Sequence, residues 1–363
     1  MSRLILPAGG KECPTVVNFK CLDIVDPVRC REWNEFLLSS DDYSIFHTAN
    51  WARILNESYG FIPRYFSSSE GGKLSALVPV MEVRSFLTGC RGVSLPFSDF
   101  CEPILPPGAS VGALTRYLAG YGRSAGWEYI ELRGDRGQSD STPSYRHYYT
   151  HTIDLSCGEE QLYGNLRDST RRNIAKAMKE RVSVKSGTSR EFVDSFYRLN
   201  CLTRKQHGVP PQPHVFFEKL HEHIVSRGMG TVFLAELNGT CIAGVVLLYY
   251  GAKALYKFGA SDREYQHLRA NNLVMWWAIL NCCRNGYRQF SFGRTEPEND
   301  GLRQFKNGWG VDERTIKYYR YNIRDDRYMA DDGSGSRNYA SLISKLPLSL
   351  LKLTGKCLYR HMG

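Results

Sequence analysis

An α/β chain made of two copies of one unit, each a mixed and largely antiparallel sheet flanked by helices, is predicted by two observations. The first is an ordered run of parts between Thr231 and Gly310. Alternating apolar residues (TVFLAEL) meet Asn238-Gly239, and a second run (CIAGVVLLYY) and a third (ALYKFGA) follow. Asn-Gly between apolar runs signals a two-residue hairpin turn, because both central positions need positive φ. Three antiparallel strands are therefore expected. HLRANNLVMWWAILNCC then predicts a helix, apolar nearly all round from Leu273 to Leu280 and hence buried, ending at Gly286. QFSFG adds a strand, and a polar loop containing Lys306 follows it.

The second observation is that this order occurs twice. Glu70-Gly-Gly-Lys-Leu-Ser-Ala-Leu-Val-Pro-Val80 resembles the stretch from Leu237 to Leu247. Gly126-Trp-Glu-Tyr-Ile-Glu-Leu-Arg-Gly134 likewise resembles Gly286 to Arg294. A helical run, SVGALTRYLAGYGRSAG, lies between the two earlier segments, as the buried helix does later. A tandem duplication follows.

The remaining elements fall around these. Residues 1–20 read as an arm with a first strand, and CREWNEFLLSS and HTANWARILNESYG as amphipathic helices, the second capped by Thr48. PRYFSSSE, LSALVPVMEVRS and the run around GVSLPF supply the first meander, and YRHYYTHTIDL closes that unit. A helix over EEQLYGNLRDSTRRNIAKAMKE opens the second unit, with Leu162, Leu166, Ile174, Ala177 and Met178 on one side. Arg167, Arg171, Arg172, Lys176 and Lys179 lie on the other. The predicted units are 15–155 and 156–325, the second holding the main cleft, with a linker at 326–338 and an amphipathic tail at 339–363. That tail, apolar with spaced lysines, either docks on the body or lies on a membrane surface.

With 42% hydrophobic and 12% aromatic residues over 363 positions, the chain can bury two cores. A net charge of +10 favours anionic partners: phosphates, nucleic acid or an anionic membrane face. Eleven cysteines without a C-x-x-C, several inside apolar runs, read as free thiols. No signal-peptide region or membrane-length apolar stretch is apparent, so a cytoplasmic location is expected, with peripheral contact at the inner membrane face left open. There is no G-x-S-x-G, Walker loop or H-E-x-x-H, and His221 and His223 are misspaced for a shared helix face, so no metal site is expected.

Ser169-Thr-Arg-Arg-Asn-Ile-Ala-Lys-Ala177, Phe292-Gly-Arg294, Phe305-Lys-Asn-Gly-Trp-Gly310 and Leu95-Pro-Phe-Ser-Asp-Phe100 carry a resemblance to the FemAB family of tandem GNAT-fold transferases. It spans roughly residues 15–325. The tail from Lys345 to Gly355 is similar to that of members associated with exosortase and exopolysaccharide gene sets. The resemblance implies an acyltransferase that moves an acyl or aminoacyl group from an activated donor to an amine of a cell-envelope or exopolysaccharide-related acceptor. It implies catalytic roles for Lys306, in an F-K-x-x-[FW]-G motif, and for Tyr256. Arg171, Arg172, Asn173, Arg294 and Asp99 would bind substrate, and Asn271 and Asn272 the donor.

No tightly bound cofactor is expected; acyl-CoA and aminoacyl-tRNA are the candidate donors. The stretch Gln266 to Asn271 lacks the glycines with which coenzyme A enzymes of this fold open their helix, which weighs against coenzyme A. Trp51 is followed at Leu55 by no lysine, which weighs against the nucleotide-sugar substrate of the peptidoglycan-bridge members. Two other readings remain: an aminoacyl-tRNA-dependent ligase, with the basic helix as tRNA footprint, and a non-catalytic binding protein. No DNA partner is expected.

Overall fold

A computed structural model describes residues 22–139, 141–330 and 343–363. The first unit runs β1 (Asp23–Val25), α1 (Trp33–Leu37), α2 (Ala49–Tyr59), β2 (Ile62–Glu70), β3 (Lys73–Ser85), β4 (Gly89–Val93), α3 (Val111–Ala125), β5 (Tyr129–Arg133) and β6 (Arg146–Asp154). The second begins with α4 (Glu159–Gly164), α5 (Asp168–Lys179), β7 (Ser183–Gly187), α6 (Arg190–Gln206) and α7 (His214–His223). It continues with β8 (Gly230–Leu237), β9 (Thr240–Tyr250), β10 (Lys253–Ser261), α8 (Ala270–Arg284), β11 (Gln289–Thr295), α9 (Asp300–Asn307) and β12 (Asp312–Asn322). A short β13 (Arg327–Met329) and the tail helix α10 (Leu348–Leu358) complete the described chain.

The strands join one sheet in the order β1-β2-β3-β4-β5-β12-β6-β11-β10-β9-β8-β7, with β13 beside β12. Read from either end, this order presents the same unit. β2-β3-β4-α3-β5 matches β8-β9-β10-α8-β11, and the two parallel pairs, β4 with β5 and β10 with β11, fall at equivalent places. The duplicated meander–helix–strand unit is therefore present in three dimensions. Both hairpins turn as their sequences require: Asn238 and Gly239 have φ of 50° and 79°, and Gly71 and Gly72 have 57° and 76°.

The centre of the sheet holds an exchange that no local pattern announces. β12, from the end of the second unit, pairs antiparallel with β5 of the first, from Tyr318 opposite Arg133 to Asn322 opposite Tyr129. β6, from the end of the first unit, pairs with β11 of the second. The two exchanged strands also pair with each other. Each half-sheet is thus completed by the other's last strand.

Three large apolar clusters hold the layers, with a small fourth of Tyr148, Ile316 and Tyr318 between the exchanged strands. One lies between the units, where Leu55, Tyr65 and Met81 meet Phe196, Phe216, Leu234 and Leu248. A second lies under α8, around Leu247, Val274, Phe290, Phe292 and Trp309, and a third lies under α3. Each large side chain fully buried in these clusters contributes about 1.5–3 kcal/mol before entropy is counted.

Several elements depart from the sequence reading. α8 is not buried all round: Trp277 is 46% exposed, because α8 has neighbours on only part of its circumference. The predicted helix from Glu159 breaks into α4 and α5 at Asn165–Arg167, and Met178 points to solvent rather than to the core. β4 stops at Val93; Leu95 and Phe97 adopt φ of 54° and 61° and turn the chain into the interior. Lys306 lies on a helix, α9, and not in a loop. Asn299 caps that helix by accepting from the Leu302 amide at 3.1 Å. The tail helix docks on the body. The expected arm over residues 1–20 and residues 331–338 of the linker lie outside the described residues.

Candidate active site

β10 and β11 run parallel and pair only from Lys253–Leu255 to Gln289–Ser291. Beyond this, β10 shifts register between Tyr256 and Phe258, and β11 between Ser291 and Arg294. The two strands therefore part, as bulged strands do where pairing ends. Gly293, at φ 65°, sits on the β11 side of the gap, where a side-chain carbon would come within 3.1 Å of the Asp99 carboxyl carbon.

The loop after β4 of the first unit enters this gap. Asp99 Oδ2 accepts from Lys257 Nζ at 2.9 Å, and the Phe97 carbonyl accepts from the same amine at 2.7 Å. Burial pulls the Lys257 pKa down, and Asp99 works against that pull. Tyr318, on the exchanged strand β12, donates its hydroxyl to the Asp99 carbonyl at 2.6 Å. Arg294 donates to the Tyr318 oxygen at 3.0 Å. The Arg294 guanidinium lies 4.4 Å from the centre of the Tyr148 ring. The gap thus gathers cations from β10 and β11 with one carboxylate from the other unit.

Lys306 approaches the same kink from α9. It is 1% exposed, and its Nζ donates to the carbonyls of Gly293 at 3.3 Å and Arg294 at 2.9 Å. Burial lowers its pKa to about 8, partly offset by Asp99 and Glu296. Phe305 and Trp309 pack edge to face in the cluster under α8, which fixes the end of α9. Tyr256 lies along β10, its hydroxyl over Gly259 and its ring beside Phe292, and burial raises its pKa to about 12.

A cavity of about 380 Å³ opens on the other side of α9. Its walls are the start of α5, the end of β10, the start of α8 and the face of α9 carrying Gly301, Gln304, Phe305 and Gly308. α5 and α9 are tied where they meet, since Thr170 donates to the Gly308 carbonyl at 3.0 Å and the Arg167 amide to the same oxygen at 3.1 Å. No side chain caps α8, whose first residues Ala270, Asn271 and Asn272 line the cavity together with Arg167 and Arg269. The Asn272 amide already donates to the Arg269 carbonyl at 3.0 Å, and the helix start before it, beside two guanidinium groups, is suited to an anion. A second cavity, about 290 Å³, lies on the opposite face of β10 and β11, between His47, Glu102 and Arg136 of the first unit and Thr152, Lys253 and Gln289.

The residues singled out in the sequence are therefore sorted into three places. Lys306, Arg294, Asp99 and Tyr256 meet at the parted strands. Asn173, Asn271 and Asn272 line the larger cavity. Arg171 and Arg172 do neither. Arg171 pairs with Asp168 and donates to the Gly164 carbonyl, and Arg172 is exposed, because successive helical residues point in different directions.

Other groups at the site carried no motif. Lys257 is one. His151 on β6 is another, with Nε2 2.9 Å from Glu313 and Nδ1 buried without a hydrogen-bond partner among the described residues. Glu313 also accepts from Arg303 and Asn307 of α9, and the Arg303 hydrogen bond brings its pKa down to about 2. Burial, and then the nearby Lys306, lower the His151 pKa. Away from this site, Glu57, Glu222 and His223 are close enough to hold an ion, but Lys219 Nζ already lies 2.8 Å from both carboxylates.

The profile of the family described as "Acetyltransferase (GNAT) domain" matches residues 164–307, from the end of α4 to one residue past Lys306. Over part of its length the chain is similar to FemAB-type transferases. It is 30% identical over 100 residues to a lipid II:glycine glycyltransferase of Staphylococcus haemolyticus, covering 26% of this chain and 24% of that protein. It is 24% identical over 113 residues to a UDP-N-acetylmuramoylpentapeptide-lysine N(6)-alanyltransferase of Weissella viridescens, covering 30% and 33%. The chain thus spans a quarter to a third of the length of these curated relatives. Among solved structures, that of FemX superposes with a TM-score of 0.61 at 14% identity, over 80% of this chain and 95% of that one. A tandem GNAT protein from the clavulanic acid biosynthesis pathway gives 0.51 at 10% identity, over 83% and 98%. The expected fold, two tandem GNAT-like units, is the fold present.

Proposed function

We propose that this chain is an N-acyltransferase that moves an acyl or aminoacyl group to an amine of a cell-envelope acceptor. The carrying observation is the cavity at the start of α8, walled in part by α9, the same helix that brings Lys306 to the parted β10 and β11. An activated donor bearing phosphate would lay its anionic part on the α8 amides, Arg167 and Arg269. Its carbonyl would reach toward the gap, and the acceptor amine would approach from the smaller cavity on the opposite face. A C–N bond forms as the donor's ester or thioester bond breaks, and the amine's proton ends on the departing oxygen or sulfur. Holding both reactants supplies much of the acceleration in such a reaction.

Within this reading Lys306 acts as a cation beside the gap, favouring the negative charge that develops on the carbonyl oxygen or the leaving group. Asp99 and Lys257 shape the acceptor side, and Asn271 and Asn272 the donor side. Aminoacyl-tRNA is favoured over acyl-CoA, because side chains stand at the α8 start where glycines would admit a pyrophosphate. The exposed cations Arg172, Lys176 and Lys179 of α5 then offer a surface for the nucleic acid. The glycyl- and alanyltransferase names of the relatives agree with an envelope acceptor, and an exopolysaccharide-related acceptor is the narrower form of the proposal. Titrating the protein with glycyl-tRNA and with acetyl-CoA tests the donor side. Binding of glycyl-tRNA that weakens in Arg269→Ala supports the reading; binding of neither donor counts against it.

A further inference from the structure

The turn that follows the tail helix and the tip of the β3–β4 hairpin are far apart in sequence, yet they meet at His361. Phe86 and Leu87 at the tip are 87% and 58% exposed, and the Phe86 ring meets the His361 ring edge-on at 4.7 Å. The His361 carbonyl accepts from Arg91 at 2.7 Å and from Thr88 at 2.9 Å, and its Nδ1 lies 2.9 Å from the Ser85 hydroxyl. Further along the tail, Tyr359 donates to the Pro210 carbonyl at 3.1 Å, and Gly355 seats α10 so closely that an added carbon would fall 2.0 Å from the Pro211 oxygen. The tail is therefore held in place while Leu350, Leu353 and Met362 remain 48%, 57% and 54% exposed.

The helical spacing puts Leu350, Leu353 and Cys357 on one outward stripe, with Lys352 and Lys356 to one side. Residues 343–363 carry Lys345, Lys352, Lys356 and Arg360 and no Asp or Glu. Asp194 and Glu218, in the adjoining groove, are engaged by Arg190 and His214 and do not pair with the tail lysines. Among the described residues, no helix is long and apolar enough to cross a membrane.

We infer that α10 and the Phe86–Leu87 tip together dock the protein on the surface of an anionic lipid bilayer. A protruding aromatic tip finds no rigid socket of its own shape in most surfaces, whereas a fluid interface closes around it. The leucine stripe lies at the headgroup–acyl boundary, with the exposed Lys356 and Arg360 reaching toward anionic headgroups, while the Lys352 amine rests over the Tyr197 ring at 5.4 Å. This surface is independent of the transferase reading and stands or falls separately.

The test is sedimentation of the full chain with phosphatidylcholine vesicles and with mixtures of roughly seven parts phosphatidylcholine to three of phosphatidylglycerol. The protein is expected to sediment with the mixed vesicles at low salt and to stay in solution with the neutral ones. Phe86→Ser combined with Leu353→Ser should lower the partitioning roughly tenfold or more, with an unchanged melting temperature because both side chains are exposed. Lys352→Glu with Lys356→Glu should act likewise. No sedimentation with the anionic vesicles, or equal sedimentation of the serine variant, overturns the inference. So does a dimer in sedimentation velocity that the serine variant converts to monomer, since the patch would then be a contact between copies.

Discussion

The amine of Lys306 donates to the main-chain carbonyl of Arg294 at 2.9 Å, across the point where β11 leaves its parallel partner. A helix-borne cation thereby holds the kink that separates two strands. Two of its three protons are used on carbonyls of Gly293 and Arg294. The same ammonium adds positive charge to a gap already holding Lys257 and Arg294.

Lys306→Met should lower transfer by on the order of 10²-fold in kcat, with a smaller effect on KM. Losing two hydrogen bonds and losing a buried charge oppose each other in stability, so the melting temperature should move little. Steady-state kinetics with a thermal melt distinguish this from simple unfolding.

The pH dependence of stability isolates the same lysine. Its pKa in the fold is about 8, against 10.5 for an unburied lysine, so between these values the unfolded chain binds more protons. Stability carries the cost of the buried charge below pH 8 and should recover as pH rises toward 10.5. Urea midpoints at pH 8 and pH 10 should show this rise in the native protein and a reduced rise in Lys306→Met.

Glu313 governs the acid side. Arg303 and, after it, Asn307 and His151 hold its carboxyl at about 2, so its contribution is complete above about 4.5 and is lost as pH falls toward 2. Glu313→Gln should cost about 1–3 kcal/mol at neutral pH and flatten the acid limb of the urea-midpoint profile.

These two residues also mark what a sequence can convey. Lys306 was legible because aromatics at 305 and 309 set it in a motif, and the doubled hairpin turns made the repeat legible. His151 and Glu313 were not, because their pairing depends on β6 and β12 lying side by side, 162 residues apart. Asn173, Arg171 and Arg172 formed one motif, yet a helix turns adjacent residues apart, and only Asn173 reaches the cavity. The strand exchange itself leaves no local periodicity to read.

That exchange predicts a folding dependence. Fragments 1–155 and 156–363, expressed alone, should lack partners for β5 and β11 and fail to give cooperative melts. Co-expressed, they should associate and melt together, as seen by size exclusion and calorimetry. Two independently folded fragments would contradict the exchanged sheet.

The two cavities predict separable kinetic effects. Arg269→Ala should raise the donor KM about tenfold while leaving the acceptor KM near its native value. Thr152→Trp, which fills the smaller cavity, should do the reverse. Initial rates with each substrate varied in turn decide this.

The most direct measurement is transfer itself. Purified protein would be incubated with glycyl-tRNA, alanyl-tRNA or acetyl-CoA and a lipid II acceptor carrying a free amine, and the acceptor's mass would be recorded. The proposed function predicts a mass gain equal to the donor's acyl group, located on that amine and largely lost with Lys306→Met. An acceptor unchanged with all three donors, or modified equally by the Lys306→Met protein, would contradict it.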